Sequence, residues 1–176
     1  LKENYFEVID TPNKAYLLGL IFTDGSVTEE TGKQKQLRLE LKATDVELLE
    51  LYRAELGISS KLTYSKRKNS ESFLSSVRSD KIVKDLSKYG VVKNKTYITD
   101  KLPIVEETLQ KDFLRGLIDG DGSIYQSNNG NYRINFTSHS ENICKDFIEL
   151  CKKITGVNTK TKPSKNGNSF RVTFSK

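Results

Sequence analysis

Two short stretches of this chain end an apolar run in aspartate followed by glycine: "YLLGLIFTDGSV" at 16–27 and "FLRGLIDGDGSI" at 113–124. A single helix stopping at Asp-Gly is an ordinary turn. The same junction twice, with Asp24 and Asp121 lying 97 residues apart, points to chemistry. Two carboxylates brought to one spot at the C-terminal ends of two helices repel each other, and the negative helix ends add to that repulsion. Either their pKa values rise or a divalent cation sits between them. Hard oxygen donors without His or Cys select Mg²⁺ or Ca²⁺. An EF-hand loop starting at Asp119 is excluded. Its sixth and twelfth positions are Ile124 and Gly130, where glycine and a bidentate glutamate belong.

The elements that must position these acids repeat as well. Gly19 falls on Gly116, and "SFLSSVRS" (72–79) lies over "SFRVTFSK" (169–176) at the same spacing. "LRLELKATD" (37–45) is laid over "YRINFTSHS" (132–140), each an alternating strand running into a helix start. "VELLELYRAELGI" (46–58) and "NICKDFIELCKKITGV" (142–157) are amphipathic helices with glycine near the end. Each half therefore reads helix, two strands, helix, two strands. A closing helix near Asp80–Tyr89 follows in the first half only. The expected fold is α+β, with two pseudo-twofold-related αββαββ(α) repeats at 1–92 and 105–176 and a linker at 93–104. The second repeat lacks its final helix. The segment "GVVKNKTYITDKLP" (90–103) is polar, with glycine at its start and proline at its end, as a tether requires.

Residues 13–22 are apolar on nearly every side, so this helix should be buried all round. Gly19 and Gly116 cost about 1 kcal/mol each inside a helix. Close approach of the two helices at these glycines would offset that and deliver both aspartates to one place.

Charge identifies a class of partner. Lys plus Arg number 29 against 23 acids, for a net charge of +6 and a pI near 9.2, which suits a polyanion. No apolar run is long enough for a membrane span and no signal peptide opens the sequence, so an intracellular setting is expected. Cys144 and Cys151 read as buried thiols of a reducing compartment. With one histidine (His139) and no CxxC, a zinc site has no support.

Both aspartate segments resemble the motif of the LAGLIDADG homing endonucleases in the two-motif, single-chain form. Leu114, Gly116, Leu117, Ile118, Asp119, Asp121 and Gly122 match seven of its nine letters, and Leu17, Gly19, Leu20, Ile21, Asp24 and Gly25 match six. Phe22 and Thr23 replace Asp-Ala in the first copy. The acid before the final glycine is the family's metal ligand, so the resemblance implies that Phe22 leaves the chemistry intact. It also implies saddle-shaped antiparallel sheets with helices packed on one face, and a monomer acting on double-stranded DNA without a protein partner.

Strand parity agrees with a DNA-facing surface. Leu37, Leu39 and Leu41 face one way, leaving Arg38, Glu40 and Lys42 on the other. Tyr132, Ile134 and Phe136 are expected inward, with Arg133, Asn135 and Thr137 outward. Phe170, Val172 and Phe174 are inward, with Arg171 and Thr173 outward. Arg, Lys, Asn, Gln and Thr on one face suit base-edge contacts. Gln36, Arg78, Tyr125 and Gln126 join this surface. Lys33, Lys35, Lys61, Lys66, Arg67, Lys68, Lys160 and Lys162 would grip phosphate, which makes binding salt-dependent.

The resemblance implies Mg²⁺-dependent hydrolysis of both strands with 5′-phosphates and short 3′ overhangs. Mn²⁺ is expected to substitute, and Ca²⁺ to bind without supporting cleavage. Asp24 and Asp121, helped by the carbonyls of Thr23 and Gly120, would hold the metal. A basic group near each phosphate would organise water. Lys42 is the first candidate, while Thr137, Ser138 and His139 occupy the equivalent region of the other half. His139 itself reads as a polar residue starting the next helix. The competing function is binding without cutting, as an intron RNA maturase or a DNA-binding regulator. Keeping both mutually repulsive acids argues for cutting.

Overall fold

Thr11 and Pro12 start the first helix: the Thr11 hydroxyl accepts the Lys14 N–H, and proline occupies the first turn. The computed structural model describes residues 1–175. The first half runs α1 (Pro12–Asp24), β1 (Gly25–Thr28), β2 (Gln36–Lys42), α2 (Val46–Leu56), β3 (Thr63–Arg67), β4 (Ser70–Arg78) and α3 (Asp80–Ser87). A four-residue helix, α4 (Lys95–Ile98), follows. The second half runs α5 (Gln110–Asp121), β5 (Gly122–Gln126), β6 (Tyr132–Ser138), α6 (Glu141–Thr155), β7 (Ser164–Asn166) and β8 (Ser169–Ser175). The two sheets have the orders β1-β2-β4-β3 and β5-β6-β8-β7, and every pairing is antiparallel. The α+β fold with two repeated halves is the one expected. α2 and α6 stop at Gly57 and Gly156, whose positive φ angles of 65° and 67° close the last turns.

Strand register fixes how the halves correspond. Val27 faces Leu37 as Ile124 faces Ile134, and Leu39 faces Ser75 as Phe136 faces Val172. The repeat spacing is thus 97 through the strands as well. Laying "LRLELKATD" over "YRINFTSHS" is two residues out. A two-residue slide preserves apolar/polar alternation, so composition cannot detect it; hydrogen-bond pairing can. The residue equivalent to Lys42 is therefore His139, one step beyond β6.

Helix α1 is buried from Ala15 to Phe22. In the first half Leu37, Leu39 and Leu41 share the core with Leu49, Tyr52 and Leu56 of α2. In the second, the rings of Phe136 and Phe147 stack with centroids 4.3 Å apart, beside Ile143, Cys144, Ile148 and Cys151. One inward assignment fails, since Tyr132 is 68% exposed. The cause is local cover. Ile82, Val83 and Leu86 of α3 are buried where that helix packs on β2, and Val27 is only 5% exposed. Ile124, at the position equivalent to Val27, is 59% exposed: α5 and α6 pack on the second sheet, but no described helix takes the place that α3 has on the first. Among the described residues, no helix is long and apolar enough to cross a membrane.

Candidate metal and nucleic-acid site

The site begins with two glycines. A Cβ on Gly19 would lie 2.3 Å from the Phe113 carbonyl oxygen and 2.9 Å from the Leu117 nitrogen. A Cβ on Gly116 would lie 2.1 Å from the Tyr16 carbonyl and 2.8 Å from the Leu20 nitrogen. These contacts are reciprocal across the repeat, so α1 and α5 meet backbone to backbone about a pseudo-twofold axis. The only side chain that fits there is hydrogen.

The same crossing brings the C-terminal tips together. A Cβ on Gly120 would sit 1.9 Å from Thr23 Oγ1 and 3.0 Å from Asp24 Oδ2. The Asp24 carboxylate thus lies beside Gly120, one residue from Asp121. Burial raises the Asp24 pKa to about 6, and repulsion from Asp121 adds to it; Lys95 and Lys42 oppose the rise. The Asp121 pKa is also raised, by the protein packed around a side chain that still opens to solvent, and is pulled back by Lys95 and His139. Asp119 stands outside this pair. Its carboxylate accepts the Tyr16 hydroxyl at 2.8 Å across the helix interface, and the Arg115 guanidinium lies 4.3 Å from the centre of the Tyr16 ring.

Lys95 is the residue that sequence reading missed. From α4 its ammonium donates to the Thr23 carbonyl at 2.8 Å, and both aspartates act on it electrostatically. Burial alone would lower its pKa, and the two carboxylates counter that. A four-residue helix in a polar tether has no periodicity to announce it. Nothing in "VVKNK" distinguishes Lys95 from Lys93.

The donor set fits a hard divalent cation. Two carboxylates meet next to backbone carbonyls, and a lysine ammonium already stands at one of them. Among the described residues, no group of three or more His, Cys, Asp or Glu forms a metal cage. Mg²⁺ is commonly held by one or two carboxylates plus water and substrate phosphate, so a protein cage is not required.

The remaining candidates are distributed over the sheets. Arg38, Glu40 and Lys42 alternate on β2, opposite Ser76, Leu74 and Ser72 of β4. Glu40 accepts from Ser72 at 2.7 Å, with Arg67 3.7 Å away. On the second sheet Arg133, Asn135 and Thr137 are opposed by Ser175, Thr173 and Arg171, and Asn135 accepts from Thr173. Gln36 contacts Thr28, Arg78 reaches the Gln34 carbonyl, and Gln126 reaches that of Gly130. Lys33, Lys35 and Lys66 pair on the surface with Glu30, Glu29 and Glu71. Lys61, Lys68, Tyr125, Lys160 and Lys162 are exposed. His139 does not start α6. Ser140 does so, its hydroxyl accepting the Ile143 N–H, and the Ser140 N–H is taken by Ser138.

Comparison with known proteins bears on the family and the fold. The family described as LAGLIDADG-like domain matches residues 11–90 and 108–175. The homing endonuclease I-LtrWI bound to target DNA is 15% identical, with a TM-score of 0.55, over 99% of this chain and 79% of that one. The N-terminal LAGLIDADG domain of DUF199/WhiA is 17% identical, with a TM-score of 0.58, over 99% and 81%. A mesophilic variant of the homing endonuclease I-DmoI is 15% identical, with a TM-score of 0.56, over 92% and 87%. No curated protein matches the chain. At these identities the structural likeness establishes the fold.

Proposed function

The chain belongs to the LAGLIDADG-like family, and on that footing we propose that it is a sequence-specific DNA endonuclease that cuts both strands of a long target using Mg²⁺. The observation carrying this reading is the meeting of Asp24 and Asp121 at the ends of two helices locked by Gly19 and Gly116. A scaffold that served only to bind would gain nothing from two crowded carboxylates whose pKa values are both raised.

Asp24 and Asp121, with the carbonyls of Thr23 and Gly120, would hold the metal. When bound, it polarises the phosphorus centre, lowers the pKa of an attacking water and stabilises the leaving 3′ oxygen. Lys95, now donating to the Thr23 carbonyl, brings positive charge to both carboxylates and would turn to a phosphate oxygen when the metal takes that carbonyl. Lys42, at the end of β2, lies close enough to Asp24 to lower its pKa and would orient water on that side. The outward faces of both sheets would take the major groove, with Arg38, Arg133 and Arg171 at base edges and the loop lysines on phosphate. The chain would act as a monomer, since both acids lie in one polypeptide.

The deciding experiment incubates the protein with a random-sequence duplex library and Mg²⁺, then captures double-strand ends. Cutting at one extended sequence, lost in Asp24→Asn and Asp121→Asn while binding in Ca²⁺ survives, supports the reading. Specific duplex binding without cuts would assign a non-cleaving regulator instead. Tight binding confined to structured intron RNA would assign a maturase.

A further inference from the structure

We propose that His139 serves the Asp121 half-site in the role Lys42 serves at the Asp24 half-site, so that the two DNA strands are cut with chemically unequal help. This rests on the nuclease reading above. Three observations place His139 there. Strand register makes it the repeat equivalent of Lys42: β2 ends at Lys42 opposite Ser72, and the same step past β6 is His139, level with Ser169. Its expected structural duty is taken by Ser140, which caps α6. It then lines a cleft of about 180 Å³ together with Asp121, Thr23, Lys95, Thr137 and Ser138.

The imidazole also has an aromatic neighbour: the Tyr97 ring of α4 meets it edge-on with centroids 5.8 Å apart. Lys42 and His139 differ in what they offer. An ammonium only donates hydrogen bonds, whereas a neutral imidazole donates from one nitrogen and accepts at the other. His139 can therefore accept a hydrogen bond from the attacking water. Lys42 can only steer phosphate oxygen or accept help from bulk solvent for the proton.

The test follows each strand separately on the target defined by the wild-type protein, with either strand end-labelled. Asp121→Asn identifies the strand served by that half. His139→Ala should slow the same strand by about a hundredfold, the lower end of the range for a positioned acid–base group, with little effect on the other. His139→Lys, borrowing the first half's own residue, should recover much of the loss, and Lys42→Ala should slow the opposite strand. A second readout needs no turnover. The chain has one histidine, so its imidazole gives one Cε1–H resonance. That resonance should shift on adding target duplex in Ca²⁺. A neutral methylphosphonate at the Asp121-side scissile position should erase the shift, and one on the opposite strand should leave it. Wild-type cutting with His139→Ala unchanged, or with both strands slowed equally, overturns this inference alone. A wild-type protein that cuts no duplex removes the nuclease reading, and this inference with it.

Discussion

The Lys95 ammonium lies 2.8 Å from the Thr23 carbonyl oxygen, so a segment outside both four-stranded sheets delivers a cation to the tips of the two central helices. Its charge acts on Asp24 and Asp121 together. A half-buried lysine facing two crowded acids indicates what kind of ligand the place accepts.

Replacing Lys95 by Met should therefore raise the Asp24 pKa above its present value of about 6, because an opposing charge is lost while burial remains. Carboxyl-carbon NMR titration of Asp24 reads this directly. Cleavage should fall by about 10²-fold or more, as when one preorganised donor is removed from a reacting oxyanion. An unchanged Asp24 titration would show that Lys95 is too far away to matter.

Stability should depend on pH in a defined window. Asp24 has a folded pKa of about 6 against an ordinary value of 3.8, so between these values the folded state binds more protons than the unfolded one. Stability from this group is then fullest at low pH and is lost as the pH rises through roughly 4 to 6. Melting of the wild type minus that of Asp24→Asn should fall across this window and flatten above it. At neutral pH the Asn variant should be the more stable in the absence of metal. Mg²⁺ should raise the wild-type Tm and leave that of the double Asn variant unmoved.

The helix crossing should tolerate no added methyl. Gly19→Ala and Gly116→Ala each drive a Cβ to within 2.3 Å of a backbone carbonyl, which no rotamer change relieves. Overpacking of this kind costs about 1–3 kcal/mol or more, despite the better helix propensity of alanine. At about 2–4 °C per kcal/mol for a chain of this size, a clear loss of Tm follows. Alanine at Gly32 or Gly130, where open space surrounds the Cβ but φ is positive, should cost less. Calorimetry of the four variants decides.

The two thiols should be silent in the folded protein. Burial pushes Cys144 up to about 11 and Cys151 up to about 12, and the Cys144 thiol faces the Phe170 carbonyl. Neither should react with a thiol reagent at pH 8 until denaturant is added. Rapid labelling in native buffer would contradict the burial.

How much of this was legible from sequence depends on the range of each interaction. The repeat, the buried helix and its capping turns are local, since apolar residues at three- and four-residue spacing declare themselves within one turn. The doubled Asp-Gly junction named Asp24 and Asp121, and the interior glycines named the contact that unites them. Three matters were decided only by tertiary structure. A strand pattern of period two looks identical after a two-residue slide, so the equivalence of Lys42 and His139 waited for hydrogen-bond register. The exposure of Tyr132 and Ile124 depended on whether a distant helix packs on their part of the sheet, as α3 packs on β2, the neighbour of Val27. Lys95 depended on where a short tether passes. A charge acts through space, and its neighbours along the chain say nothing about which carboxylates it will meet.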